Sequence, residues 1–411
     1  MGKNFSPSYP VQYFACKDFD PDPKTLQGLT YLSLQKAGEI AGDTGIPGLR
    51  LDFNGGLRLQ VPEGDWHVTV SDCDSGMVFY DRDLSKTILV SMEKYYIPWK
   101  IDVFLEGTLV FSHQLDLAGQ KVRIEFLSPL LGDTLAFLPY IPYFQKRTHA
   151  KISYWIGHAL HEVCQKLLPE IPLQENSEED TYATYYLSAG FESPPFSPLD
   201  ARMVSMMRWG KEILALPEQA RPLKWPRPQR SIEQPYVCMG VQASTATKGW
   251  HFPKGWDEVV GYLKAQGYRV LCIDKNAHQE NAGIVIHCPA GAEDFTGNRP
   301  LVERADMLSH ADFYIGLSSG LAWLAHTVGC PVIMICGFTM DWWEFPTPYR
   351  VYNRLACHGC ANDMQLTWYK KSCPRHKPGD EKYLECSKTI SPHMVIQAID
   401  RLMHDKNLPK K

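Results

Sequence analysis

The chain has 411 residues, 44% hydrophobic and 21% charged, which is ordinary for a folded globular protein with room for two or three cores. Its formal net charge of −4 offers no footing for nucleic acid or an anionic membrane, and no apolar stretch approaches the roughly 20 residues a membrane-spanning helix needs. The first 15 residues lack the basic start and apolar run of a secretory leader, and the eight cysteines outside one C-terminal group are scattered singly, so a cytoplasmic setting is expected.

Residues 1–120 read as β-structure. Leu49–Phe53 and Leu57–Val61 alternate apolar and polar residues across Asn54-Gly55-Gly56, a hairpin signal. Further strands are predicted at Trp66–Val70, Met77–Tyr80, Thr87–Ser91, Trp99–Leu105 and Thr108–His113. Short turns between antiparallel strands imply a small barrel or sandwich, used for assembly or for contacting an acceptor. At Lys121 the period changes. Val122–Phe126 is predicted as a strand, Leu131-Gly132-Asp133-Thr134 as a turn, and a helix runs from Leu135 to the prolines at 139 and 142. Ile152–Trp155 is another strand, followed by a helix with His158, His161 and Glu162, whose order matches no zincin motif. These elements open a first α/β domain over 121–225.

Five prolines between Pro217 and Pro235 forbid helix or central strand and imply a stiff linker between domains. The second α/β domain, 226–411, begins with a strand at Tyr236–Gly240 and a polar turn, Gln242–Lys248. A helix over Lys254–Gln266, a strand over Tyr268–Ile273, a helix over Leu301–Ser309, a strand at Phe313–Gly316, a helix over Leu321–Val328 and a strand over Pro331–Cys336 complete a half-Rossmann pattern.

Near the end stand Cys357-His-Gly-Cys360, Cys373 and Cys386, with twelve residues in each of the two later gaps. A Cys-x-x-Cys pair plus two further thiolates completes a tetrahedral shell, and four sulfurs suit zinc or iron equally. Within a finger spanning 351–388, residues 357–386 are too poor in aliphatic side chains to build a core, so a metal would substitute for one. Four protein ligands leave no open position, so the finger is structural. A disulfide pair or unrelated buried thiols is the plainer alternative.

Two turns carry candidate chemistry. Ser318-Ser319-Gly320 opens a helix directly after a strand, where unpaired N–H groups and the helix dipole favour phosphate. Ser244 and Thr245, with Lys248 three residues on, offer hydroxyls and an ammonium to the same region. Helix capping explains either turn alone; two on neighbouring strands point to a nucleotide diphosphate. Asp274 ends a strand, where open α/β sheets place ligands. Asp133, across a cleft, is suited to accept a proton from an attacking hydroxyl, or simply caps its helix. No dinucleotide or P-loop fingerprint is present.

Leu131-Gly-Asp-Thr-Leu-Ala136 with Leu138-Pro139 resembles the Gly-Asp turn that opens the ADP-heptose heptosyltransferases of lipopolysaccharide synthesis. The stretch from Pro300 through His310-Ala-Asp-Phe, Ser318-Ser-Gly-Leu and Pro331–Gly337 resembles their donor-binding half. It departs from them at Ser318, where they carry Asp, and at Trp323, where they carry His. The β-rich front and the cysteine finger together make the chain similar to the bacterial autotransporter heptosyltransferases (TibC-like). That resemblance implies a GT-B fold, ADP-heptose as donor, serines of an autotransporter adhesin passenger domain as acceptor, iron in the finger and a homo-dodecameric ring. It also implies Asp133 as general base of an inverting transfer, with Ser244, Thr245, Lys248, Ser319 and Gly320 on the donor phosphates and Asp274 on the ribose. A lipopolysaccharide heptosyltransferase, a rubredoxin-like iron protein and a structural assembly protein are the competing readings.

Overall fold

A computed structural model describes residues 7–175, 181–187, 194–366 and 372–409. The N-terminal residues build two sheets around one core. Strands β1 (Val11–Phe14), β2 (Arg50–Asn54), β3 (Arg58–Val61) and β6 (Thr87–Ser91) form one; β4 (Trp66–Asp72), β5 (Val78–Leu84), β7 (Trp99–Leu105) and β8 (Thr108–Gln114) form an antiparallel sheet in the order β5-β4-β7-β8. Phe14 bridges the two sheets, its ring 5.6 Å from Tyr80 and 6.0 Å from Trp99. The predicted hairpin is β2–β3, with Gly55 and Gly56 at φ of 75° and 94°, a conformation glycine adopts without strain.

The first sheet does not stop at residue 120. β2 pairs in parallel with β11 (Ala183–Leu187), which continues through β9 (Lys121–Phe126) to β10 (Lys151–Trp155). One seven-stranded sheet, β1-β6-β3-β2-β11-β9-β10, therefore joins the β-rich front to the first α/β unit. Helix α1 (Pro23–Thr30) continues as a π-turn over Tyr31–Lys36.

Helix α2 spans Leu131–Phe137 and α3 Tyr140–Thr148. The predicted turn at 131–134 is thus already helical, and Asp133 lies in the first turn of α2. Pro142 does not end a helix; it sits in the first turn of α3, where its missing N–H breaks no intrahelical bond. Helices α4 (His161–Leu167) and α5 (Met206–Ile213) complete this lobe. The proline-rich linker has no helix or strand, yet Trp225 in it is buried and its Nε1 donates to Asp306 at 3.0 Å.

The C-terminal lobe is a six-stranded parallel sheet, β16-β13-β12-β17-β18-β19, with its own core. Its strands are β12 (Tyr236–Gly240), β13 (Arg269–Cys272), β16 (Glu293–Asp294), β17 (Tyr314–Leu317), β18 (Val332–Ile335) and β19 (Arg350–Val351), and a hairpin of β14 (His278–Asn281) and β15 (Ile284–His287) stands apart. Helices α6 (Gly255–Ala265), α7 (Leu301–His310), α8 (Gly320–Thr327), α9 (Glu385–Lys388) and α10 (Pro392–Asp405) accompany it. Parallel strands of the C-terminal lobe are buried on both faces, hence the near-continuous apolar runs of β12, β17 and β18. Among the described residues no helix is long and apolar enough to cross a membrane.

Candidate active site

The lobes meet helix to helix. α2 lies against α8, and glycines at both contacts let the backbones approach. A Cβ on Gly132 would stand 3.0 Å from Cδ1 of Trp323, and one on Gly320 would stand 2.9 Å from Cβ of Leu131. Neither glycine has a positive φ, so space rather than backbone freedom selects them. Trp323, buried and edge-on to Phe345 at 5.0 Å, is a wedge between the lobes. Gly320→Ala should cost about 1–3 kcal/mol in urea unfolding and lower turnover, because α2 must back away from α8. Unchanged turnover would show that this contact does not set the site.

Asp133 enters the cleft from the first turn of α2. Ser128, on the segment leaving β9, fixes it: its Oγ donates to Asp133 Oδ2 at 2.6 Å and accepts the Leu130 N–H at 3.2 Å. Burial pushes the Asp133 carboxyl above the usual carboxylate range, while Ser128 and the Lys248 ammonium oppose that rise. The two lobes thus bring a carboxylate of raised basicity within electrostatic reach of a lysine. A base needs both properties: affinity for a proton, and a nearby cation that keeps the ionised form populated.

Lys248 ends a short 3₁₀ turn, Ala246–Lys248, after β12. Ser244 is exposed, and Thr245 and Thr247 share a hydroxyl hydrogen bond of 2.8 Å. Ser319 is the N-cap residue of α8 but does not cap it, and its Oγ is buried beside the Tyr314 hydroxyl without a well-formed hydrogen bond. The N–H groups at the start of α8 thus have no side-chain cap, which leaves them able to receive an anion.

Ser318 and Asp274 face elsewhere. Ser318 is buried and donates to Glu344, which also accepts from Thr339 at 2.8 Å and from Arg350 at 2.8 Å. This network braces the strand end beneath α8. The Asp274 carboxylate, 2% exposed, accepts the Val241 N–H at 2.8 Å and the Gln242 N–H at 3.3 Å. It is a strut under the β12 turn. Burial raises its pKa to about 6, against the pull of those N–H groups. The folded state therefore holds this proton more tightly than the unfolded chain, so its contribution to stability falls as pH rises from about 4 to about 6. Asp274→Asn should flatten that segment of the stability–pH profile measured by denaturant unfolding; a profile of unchanged slope would contradict it.

The His158 and His161 rings meet edge to face at 4.8 Å, and His161 Nε2 bonds the Ile156 carbonyl at 2.9 Å, which is a packing arrangement. Ser128, Glu344 and Ser387 carry no signal in the sequence. Their roles follow from contacts between distant segments.

The finger cysteines are all free thiols. Gly359, at φ 73°, makes the tight turn between Cys357 and Cys360. Burial raises the Cys386 thiol, and the charges of Cys357, Cys360, Cys336 and Cys373 add to that rise. Among the described residues no three His, Cys, Asp or Glu side chains converge closely enough to hold an ion; residues 367–371 of the finger lie outside those described. Four cysteine thiols remain, by their chemistry, a donor set that suits a soft cation.

Two Rossmann-like lobes, a carboxylate on one and an anion-ready turn and lysine on the other, define a glycosyltransferase of the GT-B type. A model of the TibC glycosyltransferase N-terminal domain matches residues 45–107, and the glycosyltransferase family 9 (heptosyltransferase) model matches 212–367. The autotransporter heptosyltransferase BAHTCr of Citrobacter rodentium is 37% identical, over 89% of this chain and 91% of its own. The crystal structure of dodecameric, iron-containing TibC with ADP-D-β-D-heptose superposes with a TM-score of 0.85 at 34% identity, over 90% of this chain and 99% of that one. A relative of 31% identity from Burkholderia thailandensis, BimC, covering 92% of both chains, is named an inactive autotransporter heptosyltransferase. The chain belongs to the autotransporter heptosyltransferase family.

Proposed function

We propose that this protein transfers heptose from ADP-heptose to serine hydroxyls of an autotransporter adhesin passenger domain, in the bacterial cytoplasm, with inversion. What supports this reading is a buried carboxylate, Asp133, on the helix that packs against the uncapped start of α8, with the positive charge of Lys248 acting on it. Asp133 takes the serine proton as the hydroxyl oxygen attacks the anomeric carbon. The bond from that carbon to the diphosphate oxygen breaks, and ADP leaves with the electron pair. Lys248 and the N–H groups at Ser319 and Gly320 meet the charge that grows on the departing phosphate. Ser244 and Thr245 offer hydroxyls to the same phosphates, and Asp274 and Ser318 support the two turns from beneath. The presence of Asp133 and Lys248 favours an active enzyme over a structural assembly protein.

Cys357, Cys360, Cys373 and Cys386 would hold one iron ion, a reading supported by TibC being iron-containing, with zinc as the alternative; such an ion would cross-link the finger. Cys386→Ser should lower bound metal, read by elemental analysis of the purified protein, from about one ion per chain to near none. Full occupancy in that variant would remove Cys386 from the ligand set. We extend homo-oligomerisation to this chain from dodecameric TibC. Labelled ADP-heptose offered to a passenger polypeptide and a lipopolysaccharide core acceptor together tests the acceptor. The polypeptide should carry the label; label on the lipid alone would make this a lipopolysaccharide enzyme.

A further inference from the structure

The segment Tyr383–Ile390, at the base of the finger, grips the turn that carries Lys248. Ala246 is buried in a small cluster with Tyr383 and Leu384, and Cys373 packs against it. Ser387 is 2% exposed and makes two hydrogen bonds through one oxygen: Oγ donates to the Gly249 carbonyl at 2.6 Å and accepts the His251 N–H at 2.9 Å. Next to it, Trp250 Nε1 donates to the Ile390 carbonyl at 2.8 Å. The turn is closed internally by a 2.7 Å hydrogen bond from His251 Nε2 to the Ala246 carbonyl. Ala246, Gly249, Trp250 and His251 are all held, and Lys248 lies between them.

A lysine ammonium is a point charge on a flexible stem, so its backbone anchor decides how closely it meets a phosphate. The Ser387 hydroxyl ties both Gly249 and His251 to this segment. We infer that Ser387 is a positioning residue for the donor diphosphate, holding the Lys248 turn in register, so that the finger serves the donor site as well as its own stability. This rests on the donor reading given above and deepens it.

Calorimetric titration with ADP of the parent, Ser387→Ala, Lys248→Ala and the double variant tests it. Ser387→Ala should weaken ADP about tenfold, with metal content and oligomer mass unchanged, and Ser387→Thr should recover part of that loss. In the Lys248→Ala background the same change should add less than about twofold, because the serine acts through the lysine. Unaltered ADP affinity in Ser387→Ala, or the full tenfold penalty without Lys248, would overturn the inference and leave the donor site standing. A parent that binds no ADP would overturn both. Should Ser387→Ala fail to fold, amide exchange in the parent carries the test. ADP should slow exchange at 249–251 and 384–390 together, and slowing confined to the first stretch would count against the coupling.

Discussion

Asp133→Asn should lower kcat by about three orders of magnitude and leave ADP binding within about twofold of the parent, to be measured by single-turnover transfer and calorimetry. The asparagine keeps the shape of the carboxylate and its acceptance of the Ser128 hydrogen bond, but cannot take a proton. General-base catalysis is typically worth about 10²–10⁴ in rate, and here the serine hydroxyl has no other carboxylate described at the α2–α8 contact to turn to. The parent should also show an acid limb in its pH–rate profile. The base works only when ionised, and burial raises its pKa, so the rate falls as pH drops through a value above the ordinary ~4 of a free aspartate. Comparable losses of transfer and ADP affinity would take Asp133 out of the base role.

Lys248→Ala should cost about 10²–10³ in kcat and weaken ADP about tenfold, since it removes a cation whose value is greatest when charge develops on the leaving diphosphate. A second signature separates this from general damage to the turn. Lys248 helps hold the Asp133 pKa down, so its removal should move the acid limb of the pH–rate profile to higher pH. Lys248→Arg keeps the charge and should leave the limb near its parent position. A limb that stays fixed in Lys248→Ala would mean that the two groups do not face one another during catalysis.

What the sequence makes legible is local. The buried runs of β12, β17 and β18, the Asn-Gly-Gly hairpin and the polar turns after β12 and β17 all follow from short-range pattern and turn chemistry. What it hides is pairing at a distance. Nothing in Arg50–Asn54 announces a parallel partner at Ala183–Leu187, so the continuity of the seven-stranded sheet across residue 120 is invisible until the chain is folded. The helical start at Leu131 is hidden for a related reason. Gly132 has low helix propensity, and it is kept because Trp323 from the other lobe fills the space a side chain would need. The site divides the same way. Lys248, Ser319 and Asp133 stand out by residue type at strand-to-helix turns, whereas the inward turn of Ser318 toward Glu344, and of Asp274 toward Val241 and Gln242, depends on neighbours 26 and 33 positions away. Asp274 at a strand tip looks like a ligand contact because its partners are backbone N–H groups, which no side-chain pattern reveals.

The most direct test is the intact mass of an autotransporter passenger domain after incubation with ADP-heptose and this protein, run beside Asp133→Asn. The account predicts stepwise gains of one heptosyl unit on serines with the parent and none with the variant. A passenger domain of unchanged mass, with ADP-heptose bound to the parent throughout, would contradict it.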